Sequence, residues 1–108
     1  LFRSWVRPGT HIDLVGAFSP ENRESDDKLV QKARLFVDTR TGALAEAGDL
    51  IIPMNKGLIT KDDVAADLFD LTQGERDGRR YYEQITLFKN CGSAIEDLVA
   101  ARLAYQRT

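Results

Sequence analysis

The chain has 108 residues, of which 43% are hydrophobic and 30% are charged, and its net charge at pH 7 is −2. This length allows one small domain or part of a larger one, and the small net charge gives no electrostatic reason to expect nucleic acid or an anionic membrane as a partner. Because there is one cysteine and one histidine, an intrachain disulfide and a Cys/His zinc site are excluded; we predict no metal site and expect a cytoplasmic protein.

Two strands and a helix are predicted in the first third of the chain. Residues 11–18 are apolar and β-branched and break at Gly16-Ala17, a pattern that is typical of a buried strand. Ser25 is predicted to cap a short helix. Residues 34–39 are apolar in their middle and polar where they end, which predicts the second strand.

The middle of the chain is predicted to be helical. Residues 42–47 favour a helix by propensity, and Gly48 is a plausible stop or turn. Residues 50–54 are ambiguous, because they contain a proline that would disfavour a central strand. Residues 60–63 have the capping-box pattern, and Val64, Leu68 and Leu71 follow at helical spacing, which predicts a helix that ends at Gly74.

The last part of the chain predicts a third strand at residues 83–88 and a helix at residues 92–107. The alternation of strands and helices predicts an α/β fold with a parallel sheet. Right-handed crossovers place all strand ends on one side of such a sheet. Because three strands make a thin sheet with a long exposed edge, we interpret the architecture as the second half of a Rossmann-like, doubly wound parallel sheet, and the chain as a fragment of a larger subunit.

General motifs do not assign a reaction. The chain has no Gly-x-Gly-x-x-Gly pattern, no Walker loop and no Gly-x-Ser-x-Gly elbow. Ligands of open α/β sheets bind beyond the carboxyl ends of the strands, so residues 7–20 and 86–97 are the candidate site. His11 lies at the opposite end of its strand, and we predict a packing or strand-start role for it rather than a catalytic one.

The same two regions resemble signature segments of the ornithine cyclodeaminase/mu-crystallin family. Pro-Gly-Thr-His-Ile-Asp-Leu-Val-Gly-Ala at residues 8–17 looks like the family's strand leading to the nicotinamide, and Ile-Thr-Leu-Phe-Lys-Asn-Cys-Gly at residues 85–92 also matches. Further segments match at residues 20–27, 36–38 and 46–49. The similarity therefore spans nearly the whole chain in order.

This resemblance implies a subunit with two parts, a dimerising substrate-binding domain and a central dinucleotide-binding domain. Residues 1–91 would be the C-terminal half of the NAD(P)-binding domain, and residues 92–108 a helix returning toward the dimerisation and substrate domain. The family's Gly-rich loop and cationic substrate residues would lie upstream of Leu1. The chain alone is therefore expected to be inactive and to hold no catalytic residue, and the full-length protein is expected to be a homodimer.

The resemblance also implies a set of residues that bind NAD or NADP: Val15, Gly16, Ala17, Phe18 and Asn90. Phe18 and Cys91 would lie on the substrate side. Asn90 and Cys91 are expected at the start of the final helix, where free N–H groups favour polar ligands. Two alternatives stay open, that Asn90 is only a helix cap and Cys91 only a buried filler. Lys89 is expected to be solvated or to face a phosphate rather than to form a Schiff base.

Phe18 departs from the cyclodeaminases, in which its position resembles that of a catalytic aspartate. Phenylalanine cannot act as a general acid or base, although it could equally be a core aromatic that ends a strand. The expected function is NAD(P)-dependent reduction of a small cyclic imino acid, such as pyrroline-2-carboxylate to proline. The alternatives are ornithine cyclodeaminase, which forms proline and ammonia, and a non-catalytic mu-crystallin-like binder of ligand or cofactor.

Overall fold

Four parallel strands form one sheet within residues 1–17 and 19–108, the residues that the computed structural model describes. The strands are β1 (His11–Leu14), β2 (Arg34–Val37), β3 (Val64–Asp67) and β4 (Thr86–Lys89). Their spatial order is β1-β4-β2-β3, so the last strand of the chain pairs with both β1 and β2. The predicted parallel α/β architecture is confirmed, and the three predicted strands are present with different bounds.

The predicted helix from residue 60 to Gly74 is wrong at Val64–Asp67, which is the strand β3, and is confirmed as an α-helix only at Leu68–Thr72. The amide of Thr60 donates to the Asp63 carboxylate over 2.7 Å, as the capping pattern suggested, but only the short 3-10 turn Lys61–Asp63 follows. Val64 and Ala66 then become buried by pairing with β2. Tertiary pairing here overrides a local helix signal.

Five α-helices accompany the sheet in the described residues: α1 (Asp27–Lys32), α2 (Arg40–Glu46), α3 (Gly48–Asn55), α4 (Leu68–Thr72) and α5 (Ala94–Arg107). The ambiguous residues 50–54 are helical. The N-cap of α1 is Asp26, whose carboxylate accepts a hydrogen bond from the Leu29 amide over 2.8 Å. The predicted cap at Ser25 is wrong, because that side chain is buried and donates to Asp49 instead.

The core lies between one face of the sheet and helices α1 to α3. The strand residues Leu35, Val37 and Leu87 are at most 1% exposed. They share one apolar cluster with Leu29 of α1 and Leu50 of α3. Burial of this kind explains why the strands of a parallel sheet read as apolar runs, and it fixes the position of the carboxyl ends of the strands.

The final helix, α5, has no buried residue. Its predicted apolar face is solvent-exposed, with Ile95 and Leu98 each 65% exposed. No helix in the described part of the chain combines the length and apolar character needed to cross a bilayer.

Candidate functional site

The two segments predicted to form the site meet at the carboxyl ends of β1 and β4. Leu14 and Lys89 are register partners at the ends of these strands. One residue further on, the amide of Asn90 donates to the carbonyl oxygen of Leu14 over 2.9 Å. Residues 15–17 and 90–92 are thereby placed side by side, at the edge where open α/β sheets bind ligands.

The loop that follows β1 presents backbone rather than large side chains, apart from Val15, which is 62% exposed. Ala17 has a φ of +53°, in the left-handed region that non-glycine residues rarely adopt. A Cβ atom at Gly16 would lie 2.8 Å from a carboxylate oxygen of Glu24. A side chain at position 16 would therefore displace the carboxylate of Glu24. Phe18 lies outside the described residues.

Asp38 organises the turn after β4. This side chain is 1% exposed, and its Oδ1 accepts from the Thr39 amide over 2.8 Å. Its Oδ2 accepts from the amides of Cys91 over 3.2 Å and Gly92 over 2.9 Å. Sequence reasoning gave Asp38 no role; a lone acidic residue ending an apolar strand was the available signal.

These hydrogen bonds correct the expectation of free N–H groups at residues 90–92. The amides of Cys91 and Gly92 are already occupied by Asp38, and α5 begins only at Ala94 with Ser93 as its N-cap. The expectation that Asn90 and Cys91 lie at the start of the final helix is therefore wrong. Ligand contacts from this turn must come from side chains or carbonyl oxygens rather than from these amides.

Asn90 is half-buried and forms part of the turn rather than a helix cap. The amide of Gly92, which also donates to Asp38, donates to Oδ1 of Asn90 over 2.8 Å. Its Nδ2 group makes no hydrogen bond to any described residue. The alternative of a cap alone is wrong, and the side-chain amide keeps a donor that a ligand can use.

Cys91 is half-buried and packs against the edge of the core. Burial raises the pKa of its thiol, and the negative charge of Asp38 raises it further. The thiol is therefore protonated at neutral pH, and it does not have the character of a reactive thiolate. This supports packing or an uncharged ligand contact.

Lys89 is fully buried, so the expectation of a solvated or phosphate-facing side chain is wrong. Its Nζ donates to the carbonyl oxygen of Gly16 and, over 3.0 Å, to Glu24 Oε1. It also lies 3.0 Å from Oδ2 of Asp49. The physical reason is that alternate side chains of β4 point to the face of the sheet that the helices cover. Two carboxylates on that face compensate the buried charge.

His11 lies at the opposite end of β1, with Nδ1 2.7 Å from Oγ1 of Thr86. It lines a cavity of about 380 Å³ together with Phe36 and Phe88. His11 is exposed and is the first residue of β1, so its place agrees with the strand-start role rather than with packing. Within residues 1–17 and 19–108, no His, Cys, Asp or Glu cluster is arranged to hold a metal ion.

Comparison with known proteins gives a family match over the whole chain. The sequence model of the ornithine cyclodeaminase/mu-crystallin family matches residues 1–108. A Delta(1)-pyrroline-2-carboxylate reductase from Paracoccus denitrificans is 47% identical over 98 residues, covering 91% of this chain and 31% of the relative. The ketimine reductase mu-crystallin of Rattus norvegicus is 45% identical over 105 residues, covering 97% of this chain and 31% of the relative.

Two solved structures resemble the fold closely. The Delta(1)-pyrroline-2-carboxylate reductase of Thermococcus litoralis, in complex with NADH and L-proline, superposes with a TM-score of 0.90 at 43% identity. An archaeal alanine dehydrogenase dimer with bound NAD gives a TM-score of 0.86 at 34% identity. Each match covers 98% of this chain and 33% of the other protein, so the chain spans about a third of their length.

Proposed function

The chain belongs to the ornithine cyclodeaminase/mu-crystallin family, and on that premise we propose that it forms one wall of the cofactor site in an NAD(P)-dependent reductase of a cyclic imino acid. The observation that carries this proposal is the meeting of residues 15–17 and 90–92 at adjacent carboxyl strand ends. The substrate that we propose is pyrroline-2-carboxylate, which is reduced to proline. The Thermococcus reductase structure, which holds NADH and L-proline, supports both the cofactor class and the product.

We assign residues 1–91 to the C-terminal half of the NAD(P)-binding domain and residues 92–108 to a helix that packs on a dimerisation and substrate domain. The exposed apolar residues of α5, such as Ile95 and Leu98, support this division, because large exposed apolar patches usually mark contact surfaces. A homodimer is the proposed assembly of the full-length protein, and the alanine dehydrogenase dimer supports it.

The residues at the site fit a nicotinamide nucleotide. When bound, the nicotinamide supplies a hydride to the imine carbon of the substrate. The backbone at Gly16 and Ala17 leaves room for a flat ring, and Nδ2 of Asn90 donates a hydrogen bond to the cofactor. Cys91, whose thiol is protonated at neutral pH, offers the substrate an uncharged contact. This chain contributes binding and orientation, and no acid or base of the reaction.

Phe18 is the proposed apolar wall on the substrate side, in contact with cofactor and ring-shaped substrate. An apolar wall excludes water from the reacting carbon and leaves no proton-transferring group where cyclodeaminases have an aspartate. In the full-length protein, Phe18→Asp is expected to impair imine reduction. Unchanged reductase activity would show that Phe18 does not line the pocket.

The proposal is tested with the full-length protein, NADH or NADPH, and separate incubations with pyrroline-2-carboxylate and ornithine. We expect oxidation of the reduced cofactor with pyrroline-2-carboxylate, and proline as the product. Release of proline and ammonia from ornithine without imine reduction would replace the proposal with a cyclodeaminase. Tight cofactor binding with no turnover of either compound would replace it with a non-catalytic binder.

A further inference from the structure

The buried ammonium group of Lys89 lies directly beneath the loop that is proposed to face the cofactor. Lys89 is the last residue of β4 and has no exposed surface. A buried ammonium is costly unless nearby groups compensate its charge and accept its hydrogen bonds. The groups that contact Nζ therefore indicate the role of this side chain.

Three oxygen atoms lie around this ammonium group, two as hydrogen-bond acceptors and one as an ion-pair partner. Nζ donates to the carbonyl oxygen of Gly16 and to Glu24 Oε1, and it forms an ion pair with Asp49 Oδ2 at 3.0 Å. Oδ2 of Asp49 has no hydrogen-bond partner among the described residues, so the ammonium charge is its compensation.

Asp49 is in turn held by the segment that precedes α1. Its Oδ1 accepts from the amides of Glu24 and Ser25, each over 2.9 Å, and from the Ser25 hydroxyl over 2.6 Å. Asp49 and Ser25 are both buried. The cluster formed by Lys89, Glu24, Asp49 and Ser25, here called the lysine cluster, thus joins the end of β4, the segment before α1 and the start of α3 to Gly16.

We propose that Lys89 is a positioning residue, which acts through the carbonyl of Gly16 to set the loop of residues 15–17 for cofactor binding without touching the cofactor itself. This inference rests on the proposed function. The left-handed φ of Ala17 supports it, because such a conformation persists only where the surroundings fix it. The close approach of Gly16 to Glu24 shows that the loop is seated on the lysine cluster.

The test compares variants of the full-length protein by their melting temperature and by their dissociation constants for NADH and NADPH. Lys89→Met alone leaves two buried or half-buried carboxylates uncompensated and is expected to lower the melting temperature strongly. Adding Glu24→Gln and Asp49→Asn removes these charges as well, and we expect much of the thermal stability to return. Cofactor binding in this triple variant should stay at least about tenfold weaker, because the loop is no longer held.

Lys56→Met is the matched control. Lys56 is exposed and pairs with Asp27 over 2.8 Å, outside the lysine cluster, so this variant should bind cofactor like the wild type. A triple variant with wild-type affinity would overturn the positioning role and leave the proposed function standing. A wild-type protein that binds neither NADH nor NADPH would overturn the proposed function itself.

A structure of the wild-type full-length protein with NADH tests the same inference without any substitution, should the variants fail to fold. We expect Nζ of Lys89 to keep its hydrogen bond to Gly16 while the nicotinamide lies against the loop. Direct contact between Nζ and the cofactor, or loss of the hydrogen bond from Nζ to Gly16 when NADH is bound, would contradict the inference.

Discussion

Under the proposed function, the side chain of Asn90 has both a structural and a binding role. Its Oδ1 accepts from the Gly92 amide, but that amide also has Asp38 as an acceptor. Removal of the Asn90 side chain therefore leaves no backbone donor of the turn unpaired. Its Nδ2 group is the part with no partner in the described chain, and it is the part that a ligand would engage.

We accordingly expect Asn90→Ala in the full-length protein to raise the KM for NADH or NADPH about fivefold, the effect of one lost hydrogen bond of about 1 kcal/mol. The melting temperature should change little. Steady-state kinetics at saturating substrate give the measurement, with Asn55→Ala, an exposed position at the end of α3, as the control. An unchanged KM would show that Asn90 stabilises the turn without contacting the cofactor.

Cys91 should react slowly with thiol reagents at neutral pH. Burial and the charge of Asp38 raise the pKa of the thiol, so the thiolate fraction is smaller than in an unfolded chain. Alkylation of the Cys91 peptide, followed by mass spectrometry in native and denatured protein, should show a native rate that keeps rising above the pH at which the denatured rate levels off. Rapid native alkylation at neutral pH would contradict this assignment.

The raised pKa also fixes the sign of the effect of Cys91 on stability. In alkaline solution the folded state keeps a proton that the unfolded state has lost, so stability falls as pH rises through the ordinary pKa range of a thiol. Cys91→Ser should weaken this alkaline loss.

At the scale of elements, the start of α3 packs directly on the segment before α1. A Cβ atom at Gly48, the first residue of α3, would overlap the carbonyl oxygen of Asn22. The same segment carries Glu24 and Ser25, which hold the lysine cluster. Contact between these two elements therefore supports the loop at the site as well as the core.

Gly48→Ala should destabilise the protein by about 1–3 kcal/mol, the cost of forcing an extra group into a packed contact. Gly78→Ala is the matched control, because nothing lies within 4 Å of the Cβ position there. Thermal unfolding of both variants gives the comparison. Equal melting temperatures would mean that residues 19–25 move aside without cost.

The junction of α1 with the end of α3 depends on pH through Asp27. Hydrogen bonds from Lys56 and then Arg23 hold the pKa of this carboxyl below its usual range. Its stabilising effect is therefore present above the usual carboxyl pKa and is lost as pH falls through the lower pKa of the folded state. The half-buried carboxylate lies 2.8 Å from Lys56 and 2.7 Å from Arg23.

Asp27→Asn should cost less than about 1 kcal/mol at neutral pH, the range of partly exposed ion pairs, and the difference from wild type should disappear in strong acid. Melting temperatures measured as a function of pH provide the test. Asp62→Asn is the control, since Asp62 is exposed and forms no ion pair with a described residue. A difference in melting temperature that persists in acid would show that the charge of Asp27 is not its cause.

For the whole molecule, the sequence predicted the architecture and the meeting of residues 15–17 with residues 90–92. Both predictions follow from the apolar runs of the strands and from the right-handed crossovers that place the strand ends on one side of the sheet. The strand β3 was missed because its local signals favour a helix, whereas its pairing with β2 is decided by tertiary contacts.

The roles of Asp38 and Lys89 could not be read from the sequence, for a different physical reason. Asp38 contacts Cys91 and Gly92 more than 50 positions away along the chain, and Lys89 reaches Gly16 73 positions away. Such contacts depend on which strands become neighbours and which way each side chain faces. A lysine ending an apolar strand reads as solvated until its buried carboxylate partners are known.

Hydrogen–deuterium exchange of the full-length protein, with and without NADH or NADPH, tests most directly whether this edge of the sheet holds the cofactor. The amides of residues 15–17 donate no hydrogen bond to another described residue, so a bound cofactor should slow their exchange markedly. Slower exchange there on cofactor binding is the predicted result. Unchanged exchange at residues 15–17, with protection near His11 at the amino end of β1 instead, would contradict the account.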